Sequence, residues 1–222
     1  MFALPVVTQK QGTNQDVINI MIQHKPIPVW VPDTHYNYSN TNFLLLASII
    51  EKISGQSFPD YMKEKLFLPL GMHDTYVFSL NDTGRYIPTI SVSKPFLMDA
   101  LDCTYGDKNI YSTVRDLLLW DKALYLHLYV TKASLALAFT PQSHEQETMH
   151  NYGLAWHTFI NNGDTLIYHN GKWHGSNTVF SRLVQDTATI IVLGNKLNSN
   201  IYKAKQMSTL FSGVLDDDSE EE

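Results

Sequence analysis

At 222 residues, with 44% hydrophobic and 17% charged content, the chain has the composition of a folded protein with one core or a tight two-lobed one, not of a disordered chain. Its net charge of −6 offers nothing to nucleic-acid phosphates, and its single cysteine, Cys103, cannot form an internal disulfide. No apolar run approaches the ~20 residues that span a bilayer, so neither a nucleic-acid partner nor a membrane span is expected.

The first residues, Met1-Phe2-Ala3-Leu4-Pro5-Val6-Val7, are mildly apolar but have neither a basic lead nor a small-residue cleavage site, so no signal peptide is expected and the compartment stays open. Val17, Ile18, Ile20 and Met21 recur at helical spacing and predict a short helix over 15–23. Pro26, Pro28 and Pro32 then break regular structure up to Tyr38. Asn40 or Thr41 can cap the next helix, 42–54. Phe43, Leu44, Leu45, Leu46, Ile49, Ile50 and Ile53 cover most of its circumference, so it is expected to be buried, with Gly55 as its stop.

A further helix is predicted over 59–66, ending before Pro69-Leu70-Gly71-Met72. Residues 73–105 read as irregular, with short β-like pieces such as 89–92. Ser112 or Thr113 starts another helix, with Asp116 in its first turn and Leu117, Trp120, Leu124 and Leu128 at helical spacing. A short helix over 132–139 precedes Pro141.

From Tyr152 the pattern turns to strands: 152–160, then 165–169, 178–184 and 187–193. Asn161-Asn162-Gly163-Asp164 is a turn cluster, and Gln185-Asp186 a candidate two-residue hairpin loop. Short loops between these strands predict antiparallel pairing. Asn198 to Asn200 can cap a last helix with Ala204, Met207, Phe211 and Val214 on one face. The layout is α+β: one domain over 1–215, with a helical part at about 13–150 and a sheet plus last helix at about 151–215. Residues 216–222, almost all acidic, are expected to form a self-repelling, disordered tail.

Two short motifs carry chemistry. Tyr38-Ser39-Asn40 stands before the apolar helix, and His169-Asn170-Gly171 ends a β-branched and aromatic run, with Gly175 close behind. Tyr-x-Asn followed far downstream by a basic residue, any residue and Gly resembles the signature of serine β-lactamase-like hydrolases, whose related set is S-x-x-K, S-D-N and K-T-G. Tyr38 and His169 stand where that set has Ser and Lys, as in the class C β-lactamase, D-Ala-D-Ala carboxypeptidase and esterase branch. Tyr38 to Ala47, Glu51 to Gln56, Pro69 to Thr75, Gly106 to Ala123, Tyr152 to Trp156 and His169 to Gly175 also resemble the family in order.

The resemblance implies a β-lactamase/transpeptidase-like fold, an antiparallel sheet flanked by helices. It implies a serine hydrolase acting by an acyl-enzyme route on a lactam, a D-amino-acid peptide or an ester, with no metal or organic cofactor. Tyr38 would be the base or proton shuttle, Asn40 would orient the substrate amide or the lysine, and His169 would contact the tyrosine hydroxyl or substrate. Gly171 would permit close approach of a substrate, and the Lys172 backbone N–H would donate to the oxyanion. A free phenol has a pKa near ~10 and needs neighbouring positive charge to act at neutral pH, part of which the S-x-x-K lysine supplies in the family.

No S-x-x-K precedes Tyr38. The N-terminal strands and the nucleophile helix are therefore expected to be missing. The chain would be a piece of a longer product or use a partner to complete its fold, and it is expected to be inactive alone. A sheet lacking those strands would expose an edge open to self-association, unless residues 2–8 supply a makeshift strand. The alternative, from a different class, is a non-catalytic binding or interaction module that keeps the cleft.

The other motifs weigh little. Ser91-Val92-Ser93-Lys94 matches S-x-x-K literally but follows Tyr38, sits in strand-favouring sequence and precedes Pro95. His144-Glu145 with His150 has the wrong spacing for H-E-x-x-H, and His169 with His174 lacks a third ligand in sequence, so no metal is expected. Asn37-Tyr38-Ser39 fits the glycosylation pattern, which is common by chance.

Overall fold

Side-chain caps set most helix starts. In the computed structural model, which describes residues 11–79, 88–91, 93–96, 98–143, 150–161 and 163–211, Thr13 and Asp16 form a reciprocal capping box. Helix α1 then runs Asn14–His24. Helix α2 is Asn40–Ser54, preceded by Ser39 and closed by Gly55 at φ 71°, a left-handed conformation that favours glycine. Ser57 caps α3, Phe58–Met62, which continues into a π-helical turn over Lys63–Phe67. Two short strands, β1 (Tyr76–Val77) and β2 (Ile110–Tyr111), pair antiparallel. Thr113 Oγ1 accepts the Asp116 N–H at 3.2 Å and starts α4, Val114–Tyr125; Thr131 caps α5, Lys132–Phe139. No helix of the described residues is long and apolar enough to cross a membrane.

The chain forms two compact units, divided within the first turn of α4. The helical unit takes in the described parts of Met1–Pro32, Asn37–Ile87 and Leu97–Asp116. Its interior is tied by polar side chains that replace missing backbone partners. Buried Asn14 donates to Tyr105 O and accepts from Tyr105 N–H, both at 2.9 Å. The Glu51 carboxylate takes the Tyr105 hydroxyl at 2.6 Å and the Phe58 N–H at 2.8 Å. Asp116 takes the Thr75 hydroxyl at 2.7 Å and the Asp74 N–H at 2.9 Å, which ties two of the family-like segments to each other. Gly106, at φ 101°, lets α2 come close: a Cβ there would stand 2.5 Å from Phe43 O and 2.7 Å from Ala47 Cβ.

Helix α2 departs from the expected full burial. Leu44 and Ala47 are buried, whereas Leu46, Ile49 and Ile53 are 54%, 50% and 81% exposed. Their spacing puts all three on one stripe. A composition apolar all round shows that a helix can be buried, not that this unit supplies a cover for each face.

The sheet unit takes in Asp33–Tyr36, Pro88–Phe96 and the chain from Leu117. Strands β3 (His150–Tyr152), β4 (His157–Asn161), β5 (Asp164–Trp173), β6 (Ser176–Leu183) and β7 (Ala188–Gly194) form one antiparallel sheet in chain order. Phe159, Leu166, Tyr168, Leu183 and Ile190 make the core on one face, and Ala204 of a 3₁₀-helix, Ser199–Leu210, packs against it. On the other face Arg182 and Asp121, 1% and 3% exposed, pair at 2.5 Å; Asp121 also takes the Thr189 hydroxyl at 2.8 Å. The Arg182 guanidinium lies 4.4 Å from the centroid of the Tyr125 ring.

Several boundaries move. The strand expected over 152–160 is two strands joined by a turn at Gly153–Trp156, where Ala155 has φ 66°. A Cβ on Gly153 would lie 2.1 Å from Ala138 O, so this glycine admits the end of α5. The β6–β7 loop holds four residues, 184–187, not two, since Leu183 pairs with Ala188. The last helix is 3₁₀, whose period of three turns Lys205 and Ser208 inward and leaves Met207 and Phe211 exposed. α4 stops at Tyr125, and Leu128 is exposed. The acidic tail, Val214, residues 2–8 and the His144-Glu145 pair lie outside the described residues.

Candidate active site

Tyr38 and Asn40 belong to the helical unit, and His169, Gly171 and Lys172 to the sheet unit. Asn40 is exposed in the first turn of α2, directly after Ser39. Tyr38, 45% exposed, lies with its ring centroid 6.3 Å from that of Phe43. Burial pushes its phenol above the usual range, and the Asp107 carboxylate pushes it further. Both influences keep the hydroxyl protonated. They oppose what a base needs, so a positive charge near Tyr38 is a requirement of the chemistry.

His169 sits within β5, which runs on to Trp173; the expectation of a strand end at His169 is corrected by its pairing with Phe180. Alternation along the strand puts His169, Gly171 and Trp173 on the face of Ile167, and Asn170 and Lys172 on the face of Tyr168. The imidazole has a defined hydrogen-bond pattern. Nδ1 lies 2.7 Å from Asn170 O, which can only accept, so Nδ1 carries the proton. Nε2 of the neutral ring is then the acceptor, 3.3 Å from the Tyr152 hydroxyl. His157 packs beside the ring at 5.2 Å between centroids.

The local sheet geometry gives this stretch its special character. β4 pairs with β5 only as far as Tyr168, because the turn at Gly153–Trp156 starts β4 at His157. Residues 169–173 are therefore paired with β6 on one side and with no strand on the other among the described residues. The Lys172 N–H belongs to this stretch.

Gly171 has an internal reason to be glycine. It faces Thr178 across the ladder, and a Cβ would fall 2.3 Å from Thr178 Oγ1. Its carbonyl accepts from the Tyr202 hydroxyl at 3.1 Å, and Tyr202 accepts from Asn177 Nδ2 at 2.8 Å. Gly175 admits the backbone of Ile90, which a Cβ would meet at 2.5 Å. Ser91 N–H and Oγ both donate to Lys94 O, at 2.9 and 3.0 Å, and Ile90 bridges Pro95, so Ser91 and Lys94 face each other across a reversal of the chain. Ser91 and Lys94 thus lack the shared helical face that a nucleophile and its lysine need.

Sequence reasoning missed Tyr152. Its signal was Tyr152-Gly153-Leu154-Ala155-Trp156, which resembles the family but had no assigned chemistry.

The model of the family described as Beta-lactamase matches residues 10–206, a range that takes in both motifs. Penicillin-binding protein 4* of Bacillus subtilis is 29% identical over 216 residues, covering 88% of this chain and 48% of that protein. A D-aminopeptidase of Brucella anthropi is 25% identical over 149 residues, covering 65% of this chain and 28% of that protein. The chain thus spans half or less of the length of these curated relatives. Among solved structures, the octameric penicillin-binding protein homologue from Pyrococcus abyssi superposes with a TM-score of 0.76 at 24% identity, over 95% of this chain and 49% of that one.

Proposed function

Because the chain belongs to the Beta-lactamase family, we propose that it supplies the Tyr-x-Asn and His-x-Gly part of a serine hydrolase that forms an acyl-enzyme on a lactam, a D-amino-acid peptide or an ester. The carrying observation is that the family match takes in both motifs, with Tyr38-Ser39-Asn40 entering a helix and His169-Asn170-Gly171 on β5 beyond the end of its pairing with β4. In this reading Tyr38 shuttles the proton, Asn40 orients the substrate amide, His169 contacts the tyrosine or substrate, and the Lys172 N–H donates to the oxyanion. The names of the relatives, a penicillin-binding protein and a D-aminopeptidase, favour a small-molecule or peptide substrate. Within the sheet unit, Tyr36 packs on Tyr152 at 5.3 Å between centroids, and the Tyr152 hydroxyl reaches His169 Nε2 at 3.3 Å, so the His-x-Gly motif has a defined aromatic surround.

Without an S-x-x-K ahead of Tyr38, the chain alone forms no acyl-enzyme. It binds substrate-like peptides at the His169-Asn170-Gly171 segment of β5 and the Lys172 N–H beside it. Two measurements test this. Fluorescent penicillin and fluorophosphonate leave the chain unlabelled; stoichiometric labelling at a mapped serine overturns the first part. A D-alanyl-D-alanine peptide shifts the amide resonances of residues 169–173 in a nitrogen-15 spectrum; shifts elsewhere, or none at millimolar peptide, overturn the second. The octameric relative and the position of β7 at the end of the sheet among the described residues also favour self-association through that edge, which sedimentation velocity at micromolar concentration reads directly.

A further inference from the structure

His169 is a ring with two chemically different ends, and both ends are specified. Asn170 O accepts from Nδ1, and the Tyr152 hydroxyl stands at Nε2. Tyr152 is itself held from two sides: by Tyr36, with centroids 5.3 Å apart, and by His157, edge-on at 4.7 Å. His157 in turn stacks on Tyr168 at 5.1 Å. Tyr168 is buried in the sheet core, and the buried Lys205 ammonium lies 4.4 Å over its ring. The phenol beside His169 is thus anchored, through rings, to a fixed part of the sheet.

We propose that Tyr152 is the positioning residue of this site: its hydroxyl donates to His169 Nε2 and holds the imidazole as the Nδ1–H tautomer. This is the reverse of the tautomer that a free imidazole favours. The Asn170 carbonyl alone would allow the ring to turn away; with a donor at Nε2 both nitrogens are engaged and the ring has one orientation. The Tyr152 oxygen keeps an accepting lone pair after donating, so it can take a hydrogen bond from a second group while His169 holds its proton.

This assignment rests on the acyl-transfer reading only in treating His169 as a site residue. Its test needs no activity. The nine histidines are labelled with nitrogen-15, and His169 is identified by loss of its signals in His169→Gln. At a pH above the imidazole range, His169 of the unaltered chain shows a protonated Nδ1 and a bare Nε2. The Tyr152 hydroxyl proton gives a cross-relaxation peak to His169 Hε1.

Tyr152→Phe keeps the ring against Tyr36 and His157 and removes only the hydroxyl. It moves the His169 nitrogen shifts toward a tautomer mixture without moving the melt. Tyr129→Phe, at an exposed phenol, leaves them in place. A protonated Nε2 in the unaltered chain, absence of the hydroxyl cross-peak, or unchanged nitrogen shifts in Tyr152→Phe overturns the proposal. The first two readings stand even where the variant fails to fold. Failure of the acyl-transfer reading shows separately, as absent peptide-induced shifts, and leaves the tautomer measurement intact.

Discussion

The helical unit and the sheet unit solve burial differently. In the sheet unit one face is closed by an aromatic and aliphatic cluster, with Leu166 and Val179 wholly buried, and the other carries the Arg182–Asp121 pair. In the helical unit, polar side chains such as Asn14, Glu51 and Asp116 hold loops to helices, while α2 leaves Leu46, Ile49 and Ile53 in water. The difference teaches where each unit is vulnerable. The sheet depends on a desolvated ion pair whose two charges must both be present. The helical unit depends on close backbone approach and has an apolar stripe that contributes nothing to its own core.

The largest expected effect is in the sheet. Asp121→Ala strips the buried Arg182 of its carboxylate and Thr189 of its acceptor. Leaving a buried charge uncompensated costs about 3–5 kcal/mol, read as a drop in the urea midpoint. A loss under about 1 kcal/mol would mean that the pair is hydrated and the sheet less closed than described.

Gly106→Ala probes the helical unit at the approach of α2. A methyl at φ 101°, within 2.7 Å of both Phe43 O and Ala47 Cβ, is expected to cost about 1–3 kcal/mol through overpacking and backbone strain. A neutral result would show that α2 is free to shift.

Alkaline pH separates the units without mutation. Burial, with nearby carboxylates, pushes the Tyr38, Tyr105 and Cys103 groups of the helical unit up, and burial does the same to Tyr125 in the sheet unit. A group raised on folding stabilises the native state fully below its unfolded value and loses that contribution as pH climbs through its folded value. Melting temperature is expected to hold near neutrality and to fall above about pH 9–10, where unfolded thiol and phenol groups ionise. Hydrogen exchange should place the first losses in α2 and around Tyr105. Earliest opening in β5 or β6 would reverse the ranking of the two units.

The smallest effect is expected at Ile53→Gln. The side chain is 81% exposed, so stability should change by no more than about 0.5 kcal/mol. A loss of several times that amount, or one that grows with protein concentration, would show that the stripe is covered in solution.

The order of helices before strands, the antiparallel sheet and the caps at Gly55, Thr113 and Asn198 were legible in the sequence, since these residues act through neighbours a few residues away; the cap expected at Asn40 or Thr41 was not, since the helix already starts at Asn40. The two motif segments were legible as well. Three other features were decided by tertiary structure. Apolar content could not reveal that α2 lacks a cover on one stripe, because burial depends on what lies opposite. Strand pattern could not reveal that β4 pairs with β5 only as far as Tyr168, short of His169, because register belongs to the pair. Composition could not single out Tyr152, one of twelve tyrosines, because only the turn after β3 brings its hydroxyl to His169 Nε2, seventeen residues along the chain. Local caps and periodicities are short-range physics and can be read along one dimension. The partner of an imidazole nitrogen is set by which strands lie side by side.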